Sequence, residues 1–405
     1  MVMSVILLVI FIYLSISVVY AFVFSVAGRI GSLPETPSTG IYRKFVVLIP
    51  SYKEDEIILE TAKQALKQSY PKDQYDVVVI ADSLKPGTLQ ILRSLPIKVI
   101  EVSFEVSTKA KSLNQALSIL PSTYDYALIL DADNIMAIDF IEKLNAVLVK
   151  TGVSAIQGHR VAKNLNTSFA ILDAVSEEVN NHIYRKGHRV LGLSSGLIGS
   201  GMAFDFQYFK EIMATNKAIG GFDKELELKL LRDEIEIEYV EDALVYDEKV
   251  ENSEVFKNQR RRWMSAQFYY LRKYFFQGLW HFIRNGNINF FDKAFQQFLL
   301  PRVLLLGSLL LFTIGSLIME FGFGLYFSPG ANWWMFALFI NVSGLLIAVP
   351  DNYYNRKTFG AAMSLPKAIF IMFMTLFKLK GANKKFIHTP HSGSMNTEIK
   401  SDKQP

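Results

Sequence analysis

The order of apolar and polar positions divides the chain into membrane-like runs and a central alternating region. From Val2 to Ala27 no side chain is charged. At about 1.5 Å per residue, a helix of that length exceeds the ~30 Å hydrocarbon core of a bilayer. Comparable runs extend from about Val303 to Met319, after Pro301-Arg302, and from about Ala331 to Pro350, opening on Trp333-Trp334. The paired tryptophans suit an aromatic belt. Two further stretches are interfacial in character. Phe268 to Arg284 mixes aromatics with Arg272, Lys273 and Arg284, and Lys367 to Lys380 has an apolar middle too short to span. Both suit helices at headgroup level; packing on a soluble domain is the alternative reading for each.

Charge placement orients these runs. A secretory signal carries basic residues before its apolar core, and Met1-Val2-Met3-Ser4 carries none, so the first run reads as a retained anchor. Arg29 follows it, Glu320 to Gly330 holds no Lys or Arg, and Arg356 and Lys357 follow the last run. The excess of basic residues on cytoplasmic loops then predicts an external N-terminus with the central region and C-terminus inside.

Between Tyr42 and about Arg262, short β-branched runs alternate with helical periodicity. Phe45–Ile49, Asp76–Ile80, Ile97–Ile100 and Tyr126–Leu130 read as strands, and Glu54–Gln68 as a helix. Strands alternating with helices predict an α/β fold with a mostly parallel sheet, whose ligands bind at the carboxyl ends of the strands. Three strands run into polar residues there: Pro50-Ser51-Tyr52-Lys53-Glu54, Ala81-Asp82-Ser83 and Asp131-Ala132-Asp133-Asn134. Clustered carboxylates repel one another unless a cation joins them. Oxygen ligands such as Asp131 and Asp133 suit Mg²⁺ or Mn²⁺ bridging a phosphate, although a lone D-x-D is also common in solvated turns.

Composition narrows the classes. Half of the 405 residues are apolar and 20% are charged, which excludes a disordered chain. The net charge of +5 does not argue for nucleic acid. With no cysteine there is no disulfide framework and no thiolate metal site. The chain has no G-x-x-x-x-G-K-S loop, G-x-S-x-G elbow or H-E-x-x-H, and His182 and His188 lack metal-ligand spacing.

In order, the chain carries Pro50-x-Tyr52-x-Glu54, Asp82, Lys109-Ala110-Lys111-Ser112-Leu113-Asn114, Asp131-Ala132-Asp133, Asp223 and Gln259-Arg260-Arg261-Arg262-Trp263. This series resembles the membrane-integrated family 2 glycosyltransferases, the group of cellulose, hyaluronan and poly-N-acetylglucosamine synthases and ceramide glucosyltransferase. The resemblance runs from Phe45 to Trp263 and implies a GT-A-type nucleotide-sugar-binding domain flanked by transmembrane helices. Its expected roles are donor binding for Pro50, Tyr52, Glu54, Asp82, Lys109, Asp131 and Asp133, with Asp133 the ligand of Mg²⁺ or Mn²⁺. Asp223 would be the general base. Ser200 and Gly201 would line the acceptor pocket, with Gln259, Arg262 and Trp263 at the acceptor and diphosphate end. Gln157 and Arg160, after a strand, would touch the donor. His388 and Thr389 resemble a loop that closes over UDP; a basic tail against anionic lipid is the other reading.

One departure stands out. The family's Thr-Glu-Asp is Gly221-Phe222-Asp223 here, so an aromatic replaces the acidic neighbour of the base. Asp242, in Glu241-Asp242, is the competing base candidate. The expected organisation is an anchor at 1–28, a cytoplasmic domain at 42–265, an interfacial region at 266–295, two spans within 296–350, an interfacial helix with a possible gating loop at 351–392, and a disordered tail at 393–405. The expected activity is inverting transfer from a UDP-sugar to a growing glycan, with membrane lipid around it and export proteins as possible partners. Single-sugar transfer to a lipid is the alternative, and an inactive membrane scaffold the second.

Overall fold

The structure, a computed structural model, describes residues 2–35, 39–216 and 220–377. Its centre is an eight-stranded sheet. The strands are β1 (Phe45–Tyr52), β2 (Tyr75–Asp82), β3 (Lys98–Val102), β4 (Tyr126–Ile129), β5 (Ile135–Met136), β6 (Ala155–Ala162), β7 (Met202–Asp205) and β8 (Ile237–Asp247), in the order β3-β2-β1-β4-β7-β6-β8-β5. The first four are mutually parallel. β7 enters antiparallel between β4 and β6, β6 and β8 pair parallel, and β5 pairs antiparallel with β8. The sheet is therefore mixed, which corrects the mostly parallel expectation. Met-Ala-Phe-Asp is too short, and too close to Gly199 and Gly201, to stand out as a strand of either direction.

Both faces of the sheet are covered. In β1, Val46 and Leu48 join one core with helices Lys109–Ile119, Phe206–Ala214 and Phe222–Arg232. Phe45, Val47 and Ile49 join the other, with helices Ile58–Ala65 and Phe140–Thr151. Successive strand side chains point to opposite faces, and burial of both faces explains why β1 reads as an unbroken apolar run.

Helix Ser253–Asn285 runs without a break through the expected boundary at 265/266, about 50 Å long at 1.5 Å per residue. Met264, Tyr270 and Tyr274 on it are buried in core clusters, whereas Phe276, Trp280 and Ile283 are exposed. The second amphipathic segment is a helix over Leu365–Leu376, bent by 42° from helix Arg356–Ala362.

Among the described residues, three helices are long and apolar enough to cross a membrane: Val2–Ile30, Arg302–Gly322 and Ala331–Ala348. Trp334 and its neighbour face different surroundings. It is 1% exposed and packs between Phe11 and Phe312, while Trp333 stays 57% exposed. The C-terminal end of the first helix docks on the sheet domain at a helical turn, His182–Gly187. A β-carbon on Gly187 would lie 2.3 Å from the Phe24 carbonyl oxygen, so only glycine allows this approach.

Candidate functional site

Because β1, β2 and β4 are parallel, their carboxyl ends open on one edge. There the chain forms a cleft of about 720 Å³. Pro50, Tyr52, Glu54, Asp82, Lys109, Asp131, Asp133, Asp223, Gln259, Arg262 and Trp263 all line it.

At the strand ends, register places Tyr52 beside Asp82, and the Lys53 N–H donates to the Asp82 carbonyl at 3.1 Å. Lys53 and Ser83 turn with φ of 57° and 59°, so both strands break sharply at this edge. The Asp82 side chain is 1% exposed. One oxygen accepts from the Ser83 hydroxyl at 3.0 Å, and the other has no hydrogen-bond partner among the described residues. An orphaned buried carboxylate oxygen is costly, and a ligand N–H would satisfy it.

Past β4 the chain turns tightly, with the Asn134 N–H donating to the Asp131 carbonyl at 3.1 Å. Asp133 is buried on the cleft wall. Asp131 pairs with the Lys109 ammonium, which also donates to the Gly199 carbonyl at 2.6 Å. Lys109 opens helix Lys109–Ile119, whose N-cap Thr108 accepts the Lys111 N–H. Its ammonium lies 4.9 Å from the Phe222 ring centre. The aromatic that replaces the family's acidic residue is thus a platform for this cation.

Opposite, Asp223 sits in the first turn of helix Phe222–Arg232, behind Gly221 at φ 66°. Burial pushes its carboxyl above the ordinary aspartate value, with Glu227 adding to the effect and Lys224 and Lys109 opposing it. Gln259, Arg262 and Trp263 share one face of helix Ser253–Asn285 by their spacing. Burial lowers the Arg262 pKa against the charges of Asp223 and Asp131, so its guanidinium lies in the field of both. Arg260 is committed elsewhere: it pairs with Asp173 and stacks 4.4 Å over the Trp263 ring.

Several expectations are corrected. Ser200 does not line the cleft; it is fully buried, and its hydroxyl accepts the Asp131 N–H at 3.0 Å. Gly201 packs at φ 61° against Val245, with Gly199 lining the cleft in its place. Gln157 lies within β6, not after it, and its amide donates to the Ser200 and Gly201 carbonyls at 2.9 and 3.0 Å. Arg160, also in β6, does face the cleft. Asp242 sits on β8 with its side chain 70% exposed, facing Lys143 and outside the cleft lining. His388 and Thr389 lie outside the described residues.

The sequence reading missed a buried ionic network on the far wall. Arg160 donates to Glu177 at 2.8 Å and Lys249 to Asp247 at 2.7 Å, while the Arg185 guanidinium lies 3.6 Å from Glu177. Burial opposes ionisation of Glu177, but Arg160, Lys249 and Arg185 outweigh it and hold the carboxyl far below its usual range. The overlooked signal was Asp173 and Glu177, one turn apart among the buried Ala170, Ile171 and Ala174.

The donor set suits a hard divalent cation in one respect. Asp131 and Asp133 offer oxygens, yet no group of three His, Cys, Asp or Glu among the described residues is placed to hold a metal. An ion held mainly by Asp133 would draw its remaining ligands from substrate phosphate and water, the usual habit of Mg²⁺.

Residues 43–266 match the glycosyltransferase-like family 2, and the chain belongs to that family. The mixed sheet between two helical layers is the GT-A-like α/β arrangement. Among curated relatives, the chain is 26% identical over 133 residues to the poly(ribitol-phosphate) β-N-acetylglucosaminyltransferase TarS of Staphylococcus aureus, covering 30% of this chain and 23% of TarS. It is 24% identical over 250 residues to the probable glycosyltransferase YdaM of Bacillus subtilis, covering 58% and 57% of the two chains. The matches thus span less than two thirds of either relative. Among solved structures, the mannosyltransferase PcManGT of Pyrobaculum calidifontis, in complex with GDP-Man and Mn²⁺, aligns at 16% identity with a TM-score of 0.49, covering 85% of this chain and 99% of that one. S. aureus TarS 1-349 in complex with UDP-GlcNAc aligns at 15% identity and a TM-score of 0.41, covering 83% and 92%.

Proposed function

We propose that the protein is a membrane-anchored, inverting glycosyltransferase that moves a sugar from a nucleotide diphosphate donor to an acceptor hydroxyl on the cytoplasmic side. The observation that carries the reading is that Asp82, Asp131, Asp133, Asp223 and Arg262 border one cleft, with the strand-end carboxylates across from a base of raised pKa. The orphaned Asp82 oxygen suits the ring N–H of uracil or guanine, which adenine and cytosine lack at that position.

The acceptor hydroxyl oxygen attacks the anomeric carbon and yields its proton to the Asp223 carboxylate, while the bond from that carbon to the phosphate oxygen breaks. Arg262 offsets charge developing on the leaving diphosphate, and Lys109 stays paired with Asp131 until the donor arrives. A divalent cation on Asp133 would supply further charge neutralisation at that diphosphate. Trp263 offers a flat face to the acceptor sugar.

A lipid-linked acceptor is the second reading. The same cleft extends to Leu299, Leu300, Val303 and Met372, an apolar end at the base of the spanning helix that starts at Arg302. The test is nucleotide release from a panel of UDP- and GDP-sugars by the full chain in membranes, with the product then sized. Release with a growing polymer supports glycan elongation, release with one glycolipid supports the lipid acceptor, and no release from any donor leaves an inactive scaffold.

A further inference from the structure

A buried carboxylate one turn beyond Asp223 has no part in the chemistry just described. Glu227 is fully buried. One of its oxygens accepts the Leu197 N–H at 3.2 Å, and the other accepts from the Lys224 ammonium at 3.0 Å. Leu197 belongs to the segment Gly196–Gly199, which touches both halves of the site. A β-carbon on Gly199 would lie 3.7 Å from an Asp223 carboxylate oxygen, and the Gly199 carbonyl holds the Lys109 ammonium that pairs with Asp131. The approach is close at Gly196 as well, where a β-carbon would lie 3.2 Å from a Glu227 carboxylate oxygen.

The rest of this segment is tied to the sheet and to the docking turn. The Gly196 N–H donates to the Tyr184 carbonyl, and the Gly196 carbonyl accepts from Arg185. The Ile198 N–H donates to Gln157, and the Ile198 carbonyl accepts from Arg160 at 3.4 Å. Among the described residues, the hydrogen bond from this segment to the helix carrying Asp223 is the one to Glu227.

We infer that Glu227 is a positioning residue: its buried carboxylate clamps the Asp223 helix to the Gly196–Gly199 segment, fixing the distance between the base and the Lys109–Asp131 pair. This rests on the transferase reading above. Burying a carboxylate is unfavourable unless it is paired and hydrogen-bonded, and Glu227 meets both conditions through Lys224 and Leu197. Lys293, from helix Ile288–Gln296, and Arg185 add positive charge around it. Asp223 itself faces Lys224 and Glu227 on its own helix, Lys109, and Arg262 and Tyr270 from the long helix. Removing the Glu227 charge takes away the neighbouring carboxylate that disfavours ionised Asp223.

The test uses the full chain in lipid nanodiscs, with Mn²⁺-UDP for binding and UDP-N-acetylglucosamine and GDP-mannose for turnover. Glu227→Ala should lower kcat about 100-fold, the scale of a small misplacement of reacting groups, with donor KM and the UDP Kd within about threefold of wild type. Glu227→Gln keeps an oxygen for the Leu197 N–H, so it should recover at least about tenfold of that loss. It should also move the acid limb of kcat to lower pH. Amide exchange at Leu197 should quicken in Glu227→Ala and stay unchanged in β1 and β2.

Wild-type kcat in a folded Glu227→Ala protein, a rise in KM alone, or unchanged exchange at Leu197 would each overturn the clamp. If Glu227→Ala does not fold, Glu227→Gln decides: an unmoved acid limb at wild-type kcat refutes the role. A wild type that releases no nucleotide from either donor would count against those donors or the transferase reading, not the clamp. Leu197 exchange then decides alone, faster exchange in Glu227→Ala supporting the clamp and unchanged exchange refuting it.

Discussion

The two walls of the cleft differ in how far their charges are paired. The donor wall comes from strand ends, and its Asp82 carboxylate keeps a buried oxygen unsatisfied. The far wall comes from helices and the ends of β6 and β8, and its side chains are ion-paired with one another, Arg160 with Glu177, Lys249 with Asp247 and Arg260 with Asp173, although Arg160 Nε, Arg260 Nε and one Glu177 oxygen make no hydrogen bond among the described residues. Polar groups left open are poised for a ligand, whereas groups already paired hold the scaffold. Neighbours within one motif differ too: Arg260 is ion-paired with Asp173, whereas the Arg262 guanidinium lies on the cleft in the field of Asp223 and Asp131.

If this division is right, substitutions on the two walls should fail in different ways. The largest effect is expected at Asp223. Asp223→Asn should cut kcat by about 10²–10⁴-fold, the range for a general base, and leave UDP binding near wild type by calorimetry. Next comes Glu177→Gln, which strips the partner from Arg160 and Arg185. Removing one member of a buried pair costs about 3–5 kcal/mol, so a thermal or denaturant melt should register a large loss while UDP affinity of the folded fraction holds.

Trp263→Ala should raise the acceptor KM about five- to tenfold, equivalent to the roughly 1 kcal/mol of an aromatic contact, without changing donor binding. The smallest effect is expected at His159. Burial opposes its charging, but Glu178 at 2.9 Å and the Glu241 carbonyl outweigh this and raise its pKa above 6.5. A raised folded pKa contributes stability that is present below the ordinary histidine value and is lost as pH rises through the folded one. His159→Gln should therefore cost about 0.5–1 kcal/mol at pH 5.5 and much less at pH 9 in paired denaturant melts.

The donor wall was legible in the sequence and the far wall largely was not. Buried parallel strands must be apolar on both faces, so β1, β2 and β4 announce themselves, and the polar residues that end them stand out. Nothing local to Asp173 and Glu177 reveals that Arg160, from a strand, and Arg260, from a distant helix, converge on them. Ser200 shows the same limit. Its place in a Gly-rich stretch suggested a sugar pocket, yet its hydroxyl is used up by the Asp131 backbone. The unbroken helix Ser253–Asn285 hid because its arginine-rich first half and aromatic second half suggest two segments, although both keep one helical phase.

The central claim is a nucleotide diphosphate held at the strand ends with the help of a cation on Asp133. Its most direct test is calorimetric titration of UDP and GDP into the full chain, with Mn²⁺ and then with chelator, for wild type and Asp133→Ala. The account predicts saturable binding of one nucleotide with Mn²⁺, weakened at least about 100-fold by chelator or by the substitution, in keeping with the several kcal/mol such an ion contributes. Binding indifferent to both, or no binding of either nucleotide, would contradict it.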